Sequence, residues 1–483
     1  MLAKSLWHGI TPQNNTEIAP ISDVSPFGSK VNCYALHGPN MSSLFLMLDA
    51  LASAVVAPSP LISRIAIRPA AAAPGSLRCK VPASNVAAAL DATMAEFGLN
   101  EVQMSVLRSC APWLSGKPLD DPIKLVWGVF GSGKSKTLVA LCAFLIRALD
   151  SVGDKETRVL ITSTTNVAVD GVFSTLIERG LGPQCVRVGC IKRISKKVLC
   201  RTVTENGNVN AAAELESLLQ SDTLSDDERL LVMQAIVDFK SKPRSKSSEL
   251  KKARIVGCTC ASLTKSIMDE QQFDIVIVDE ATQLVEPMVL VPCVRFGCKA
   301  MILAGDVNQL PPTLAGRTDA DAGSKHPMDL SKTLFQRLSF RGLQPIFLNI
   351  QYAARAFLAR KNVSKTSNGP CRYRLHPSIS HIPNEVFYSS TLVNGVTHED
   401  RAPLIPRAAA AAFLDIRGRC ASKLQNENQT QKKDQTPRDS LLSETVMSGG
   451  SITNTAEATV VCQLLHQLLQ SGIPPKDIGV ICL

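Results

Sequence analysis

From residue 99 onward, short apolar runs alternate with longer stretches whose apolar positions recur every three or four residues. The first pattern predicts buried strands and the second predicts amphipathic helices. Apolar runs of strand length fall at 124–129, 158–162, 186–188, 254–258, 274–278, 300–304 and 345–348. Strands buried on both faces read as continuous runs, and their alternation with helices implies an α/β fold built on a parallel sheet.

The rhythm breaks between 198 and 252, where a polar, helix-forming stretch predicts helices at 211–220 and 226–239, together an inserted helical arm. A second α/β unit starts near Arg374, with a strand at 412–416, a helix at 455–470 and a strand at 477–483. Residues 418–450, rich in Gln, Lys, Asn and Ser, read as a loop. Residues 1–90 are rich in Ala, Pro and Ser and carry no catalytic pattern. Within them the apolar stretch 42–57 contains Asp49 and is too short for a secure membrane span, so it predicts a buried helix.

Composition narrows the class. A chain of 483 residues exceeds what one core usually supports, and 45% hydrophobic residues provide for two or three packed domains. The formal charge of +10 favours a polyanionic partner. Basic clusters flank the helical arm: Lys192, Arg193, Lys196, Lys197 and Arg201 on one side, and Lys240, Lys242, Arg244, Lys246, Lys251, Lys252 and Arg254 on the other. Such clusters are either solvated faces or phosphate contacts. The 15 cysteines form no CxxC pair or zinc spacing, and no signal peptide opens the chain, so the expected compartment is the nucleus or cytoplasm rather than the secretory route.

The sharpest local signal is Gly128-Val-Phe-Gly131-Ser132-Gly133-Lys134-Ser135, a GxxxxGK[ST] pattern between the first strand and a helix predicted over 137–149. Its glycines let backbone N–H groups wrap phosphates at a helix N-terminus, Lys134 supplies a point charge, and Ser135 can ligate Mg²⁺. Gly128, Gly131, Ser132, Gly133, Lys134, Ser135 and Lys136 are therefore the candidate ATP-binding residues. The run 274–278 ends in Asp279-Glu280, which puts two carboxylates at a strand's C-terminal edge. Beside a P-loop, Asp279 would hold Mg²⁺ and Glu280 would orient and deprotonate the attacking water. Gly305-Asp-Val-Asn-Gln309-Leu-Pro-Pro312 follows the next strand, where Gln309 is placed to sense the γ-phosphate. Alone, each acidic strand end would be an ordinary turn.

Asp279-Glu-Ala-Thr-Gln283, Gly305 to Pro312 and Arg374-Leu-His-Pro377, in this order and spacing, resemble the up-frameshift-like branch of the superfamily 1 helicases. Gly128-Val-Phe-Gly131, Thr165-Asn-Val-Ala-Val-Asp170, Val186-Arg-Val-Gly189 and Val393-Asn-Gly-Val396 further resemble members of the branch that act on DNA and carry a GRF-type zinc finger, which is not found in these residues. The resemblance covers 99–483 and implies two RecA-like domains. It divides the chain into a lead-in over 1–90, an ATPase domain over 91–350 with the helical insertion at 198–252, an atypical insertion at 351–373 and a partial second domain over 374–483. It implies that Gln103 reads adenine and that Gln283 and Gln309 couple the γ-phosphate to domain motion. It further implies that Tyr352 (or Tyr373) stacks on adenine, that Arg374 reaches the γ-phosphate, and that Ser163, Thr164, Asn166 and Thr259 contact the nucleic-acid backbone.

Two departures stand out. The family's continuous Gln-Tyr-Arg-x-His-Pro is split here between Gln351-Tyr352 and Arg374, and removing 353–373 restores it in frame. The resemblance also places a glutamine-glycine motif and an arginine finger past Leu483, leaving the second lobe short by about 100 to 150 residues. The expected function is an ATP- and Mg²⁺-dependent helicase on single-stranded or forked DNA, with 5′-to-3′ polarity and a role in DNA repair. RNA as the substrate, a nucleic-acid-binding protein that no longer turns over ATP, and a P-loop enzyme acting on a small molecule remain open.

Overall fold

The computed structural model describes residues 19–21, 33–35, 42–56, 59–66, 75–204, 207–220, 224–241, 246–313, 331–350, 377–394, 445–446 and 452–481. The chain divides into two compact units, Met1–Asn349 and Ile350–Leu483.

The first unit is built on an eight-stranded sheet. Its strands are β1 (Ile123–Gly128), β2 (Val159–Ser163), β3 (Cys185–Val188), β4 (Thr202–Val203), β5 (Ile255–Thr259), β6 (Ile275–Val278), β7 (Ala300–Gly305) and β8 (Ile346–Leu348). They run in the order β8-β1-β7-β6-β2-β5-β3-β4, and every pairing is parallel. All seven strands expected from apolar runs are present. The two-residue edge strand β4 is too short to leave a run.

Labelled helices are α1 (Ser42–Val56), α2 (Ala83–Phe97), α3 (Glu101–Cys110), α4 (Lys134–Asp150), α5 (Asn166–Glu178), α6 (Gly207–Leu219), α7 (Asp226–Ser241), α8 (Lys246–Lys252) and α9 (Glu286–Arg295). In the second unit, α10 is Pro377–Tyr388 and α11 is Thr455–Gln470.

Strand alternation sorts the core into two layers. Val159, Ile161, Ile275 and Ile277 pack with Leu138, Phe144, Val172 and Phe173 of α4 and α5. Leu160, Val276 and Val278 point the other way and pack with Val289, Val291 and Cys293 of α9. A side chain two residues on from Ile161 or Ile277 therefore faces the α4 side, which decides where Ser163 and Asp279 point.

Several elements differ from the sequence reading. Leu77, Cys79, Val81 and Ala89 join the main core, so 75–90, placed in the lead-in because it carries no catalytic pattern, belongs to the packed body of this unit. The helix expected at 42–57 forms as α1 but is buried on one side only. Ala50 packs in the core, while Phe45, Leu48 and Val55 are exposed because the apolar residues encircle the helix and one face alone meets α9. The helical arm has a third helix, α8, and does not project: Ala211, Leu215, Val232 and Ala235 are buried in the core.

In the second unit the expected helix at 455–470 is α11. The expected strand at 477–483 is instead a 3₁₀ turn, Pro475–Asp477, followed by residues that pair with no strand among the described residues, and without a ladder an extended segment is not a strand. The expected strand at 412–416, the insertion 351–373 and most of the loop 418–450 lie outside the described residues.

Candidate nucleotide and nucleic-acid site

The four central strands β1, β7, β6 and β2 are neighbours and parallel, so their C-terminal ends deliver the motifs to one edge of the sheet. The loop after β1 leads directly into α4, and Gly131 and Gly133 sit at φ 71° and 80°, the left-handed region that glycine enters without strain. A Cβ on Gly133 would lie 2.7 Å from Gln103 Nε2, and one on Gly128 would lie 2.9 Å from Lys134 Cβ, so both positions exclude a side chain. No side chain caps the N-terminus of α4, which leaves its first N–H groups available to an anion.

The loop is braced from behind. Ser132 is buried, and its Oγ donates to Val129 O at 2.8 Å. Gln103 Nε2 donates to Ser132 O at 3.0 Å, while its Oε1 accepts from Asn100 N at 3.2 Å in a capping box at the start of α3. The expected adenine reader is thus fully buried and holds the P-loop itself. Lys136 Nζ donates to Gly98 O at 3.1 Å, which ties α4 to the turn before α3. Ser135, the expected metal ligand, is exposed.

Lys134 reaches back to the acids that end β6. Its Nζ lies 3.3 Å from Asp279 Oδ1 and 2.5 Å from Glu280 Oε1. Burial works against the ammonium, but Asp279 and Glu280 more than offset it, so the Lys134 pKa is raised above the ordinary lysine value. Asp279 is buried and anchored by its own N–H to Thr162 O at 2.9 Å. Glu280 adopts φ 55°, a left-handed conformation that costs a non-glycine residue about 1 to 2 kcal/mol. The strain turns its carboxylate back toward Lys134, and Gln283 Nε2 donates to the other oxygen, Oε2, at 3.3 Å.

A second network joins the ends of β1, β6 and β7. Asp306 is fully buried; its Oδ1 accepts from Trp127 Nε1 at 2.9 Å and its Oδ2 from Gln309 Nε2 at 2.9 Å. Its N–H donates to Thr282 Oγ1 at 3.1 Å, and Thr282 Oγ1 donates to Asp306 O at 3.0 Å. Trp127 also packs on Phe347 of β8, with centroids 4.5 Å apart. Gln283 and Gln309 are thereby linked, through Thr282 and Asp306, to the strand that carries the P-loop. Sequence reasoning missed Trp127, Thr282 and Asp306, although Thr282 and Asp306 lie inside the motifs it picked out.

The four expected nucleic-acid contacts divide. Ser163 is buried on the α4 side, beside Asp279 on the neighbouring strand, and its Oγ has no partner. Thr164 Oγ1 is likewise buried and unpartnered. Thr259 is buried, with its Oγ1 3.0 Å from Ser262 Oγ. Asn166 begins α5, half-exposed, and its Oδ1 accepts from Arg187 at 2.8 Å. Tyr352 and Arg374 lie outside the described residues.

The donor set suits a magnesium nucleotide: an uncapped helix N-terminus, a lysine held by two acids, an exposed serine hydroxyl, and a buried unpartnered hydroxyl on the same face. Two AAA domain models match the chain, one at residues 98–230 and 208–317 and the other at 358–483. The 5′-3′ DNA helicase ZGRF1 of Mus musculus is 32% identical over 403 residues, 80% of this chain and 19% of that protein. The ATP-dependent helicase NAM7 of Saccharomyces cerevisiae is 30% identical over 366 residues, 75% of this chain and 32% of that protein. The chain belongs to the up-frameshift-like branch of the superfamily 1 helicases. Within this helicase branch, Regulator of nonsense transcripts 1 of Caenorhabditis elegans is 28% identical over 391 residues, 79% of this chain and 30% of that protein. The chain thus spans a third or less of the length of these relatives. The sheet of the first unit is the RecA-like, P-loop fold of the branch. No helix among the described residues is long and apolar enough to cross a membrane.

Proposed function

We propose that this chain is the motor of an ATP-driven, 5′-to-3′ DNA helicase with a role in nuclear DNA repair. The observation that carries the reading is the linkage of Lys134, Glu280 and Gln283 on one side and Trp127, Asp306 and Gln309 on the other, with Thr282 bonded to Asp306. A P-loop enzyme acting on a small molecule has no use for two glutamines wired to the phosphate site. In this reading 91–350 is the ATPase domain and 374–483 is part of a second RecA-like domain.

Lys134 and the N–H groups at the start of α4 hold the β- and γ-phosphates. Ser135 and Asp279 would hold Mg²⁺, which supplies charge neutralisation of the phosphates when bound. Glu280 leaves Lys134 once phosphate competes for the ammonium, and its carboxylate then takes the proton of the attacking water. Gln283 and Gln309 sense the γ-phosphate; the resemblance gives Arg374 a γ-phosphate role and Tyr352 an adenine-stacking role, and both residues lie outside the described ones. Ser163, Thr164, Asn166 and Thr259 mark the strand ends over which nucleic acid passes.

RNA is the second reading, favoured by the likeness to Regulator of nonsense transcripts 1, and a cytoplasmic location would accompany it. Strand displacement on partial duplexes of DNA or RNA, with 5′ or 3′ single-stranded tails, decides between them. Unwinding of 5′-tailed DNA alone is the expected result. Unwinding of RNA only, or from 3′ tails only, would overturn the DNA 5′-to-3′ reading.

A further inference from the structure

Arg187 on β3 is fully buried, and beyond its bond to Asn166 it has no part in the phosphate chemistry. Its Nε donates to Asp170 Oδ1 at 2.7 Å, its Nη1 to Val188 O at 2.6 Å and its Nη2 to Asn166 Oδ1 at 2.8 Å. The second oxygen of Asp170 accepts Ser195 N at 2.7 Å. A buried ion pair is a weak device for stability, since apolar residues of similar volume commonly serve as well. Its use here is in what it holds.

A guanidinium only donates, so the bond to Asn166 fixes that side chain with its carbonyl inward and its NH₂ outward. Asn166 stands at the first turn of α5, whose N-cap is Thr165, so its amide lies beside the N-terminus of a 13-residue helix. The bond from Ser195 pins the start of the 3₁₀ turn Lys196–Arg201 and the end of the segment that carries Lys192 and Arg193. Lys192, Arg193 and Lys197 are exposed, and no ion pair is found for them among the described residues. Lys196 differs: after the hydrogen bonds from Ser225, its charge helps to hold the Glu228 carboxyl below the usual carboxylate range.

We propose that the Arg187–Asp170 pair is a positioning device that welds the Asn166 amide and the cationic turn 192–197 into one surface for the phosphates of a single-stranded nucleic acid. The proposal rests on the nucleic-acid reading above. Asn166 presents donors, Lys192, Arg193 and Lys197 supply charge, and the pair holds both at a fixed spacing. Backbone contacts of this kind position a strand without reading its sequence.

The test uses a fluorescent oligothymidylate, a fluorescent ATP analogue and the melting temperature of the full chain. Asn166→Asp keeps an acceptor for Arg187 but turns an anionic oxygen outward, so it weakens oligonucleotide binding about tenfold or more, and further than Asn166→Ala does. The double variant Arg187→Met/Asp170→Leu removes the pair without leaving a lone buried charge and weakens oligonucleotide binding to a similar degree. Adding Asn166→Ala to it brings little further loss, as coupled residues require. ATP-analogue affinity is unchanged in all of them. Wild-type oligonucleotide affinity in Asn166→Asp overturns the proposal even if the double variant fails to fold, and so does a full extra loss from Asn166→Ala in a folded double variant. A wild-type chain that binds the ATP analogue but no oligonucleotide overturns the underlying nucleic-acid reading as well.

Discussion

Replacing Lys134 by Met removes one charge from a cluster of three and keeps the side chain's length. The Lys134, Asp279 and Glu280 side chains are 11, 3 and 22% exposed, with the ammonium 3.3 and 2.5 Å from the two carboxylates. Breaking a buried pair from one side costs about 3 to 5 kcal/mol, because the remaining charge is stranded. Glu280 keeps some hydration, so the expected loss in Lys134→Met is at the lower end, about 3 kcal/mol. The lysine pKa is raised in the folded chain, so its stabilising contribution is complete below the unfolded value of about 10.4 and is lost as pH rises through the higher folded value. Urea denaturation followed by tryptophan fluorescence reads this directly. The gap between wild type and variant stays level from neutral pH up to about pH 10 and shrinks above it. A gap under about 1 kcal/mol at neutral pH, or one that widens in alkali, refutes the idea that Lys134 balances both acids.

Other outcomes follow from single contacts. Trp127→Phe keeps the packing on Phe347 but takes the indole N–H from buried Asp306, which costs about 1.5 to 3 kcal/mol in chemical denaturation; it lowers turnover more than ATP-analogue affinity, because Gln309 loses its fixed partner. Gly257→Ala puts a Cβ 2.2 Å from the Phe173 ring and destabilises by about 1 to 3 kcal/mol, and Phe173→Leu in the same chain restores part of the loss. Gly133→Ala combines φ 80° with a clash on Gln103 Nε2, and ATP-analogue titration shows binding lost while the melting temperature of the unit falls by only a few degrees.

The sheet was legible because strands buried on both faces, such as 274–278 and 300–304, must be apolar throughout, and a run of that kind survives any tertiary detail. Lys134, Asp279 and Glu280 were legible because phosphate chemistry requires those residue types at those strand ends, and the structure brings the three together. What escaped is of another kind. Residues 75–97 carry an Ala-rich, weakly periodic pattern, and only contact with α4 makes α2 part of the core. Glu280's positive φ leaves no trace in composition. Asp306 reads as a turn residue until the neighbouring strands place Trp127 and Thr282 against it. Ser163 and Thr259 were expected to contact the nucleic-acid backbone, and their inward setting, by strand parity and by a local hydroxyl pair, is a packing outcome that no single segment displays. Arg187 and Asp170 sit inside motifs that were picked out, yet their pairing spans two elements and cannot be seen along one chain segment.

The most direct measurement is ATP hydrolysis by the purified chain with and without single-stranded DNA, beside Glu280→Gln and Lys134→Ala. The account predicts hydrolysis stimulated about tenfold or more by DNA, lost in both variants, with ATP-analogue binding kept in Glu280→Gln and lost in Lys134→Ala. Hydrolysis that neither DNA nor RNA stimulates, or that survives in Glu280→Gln, would contradict it.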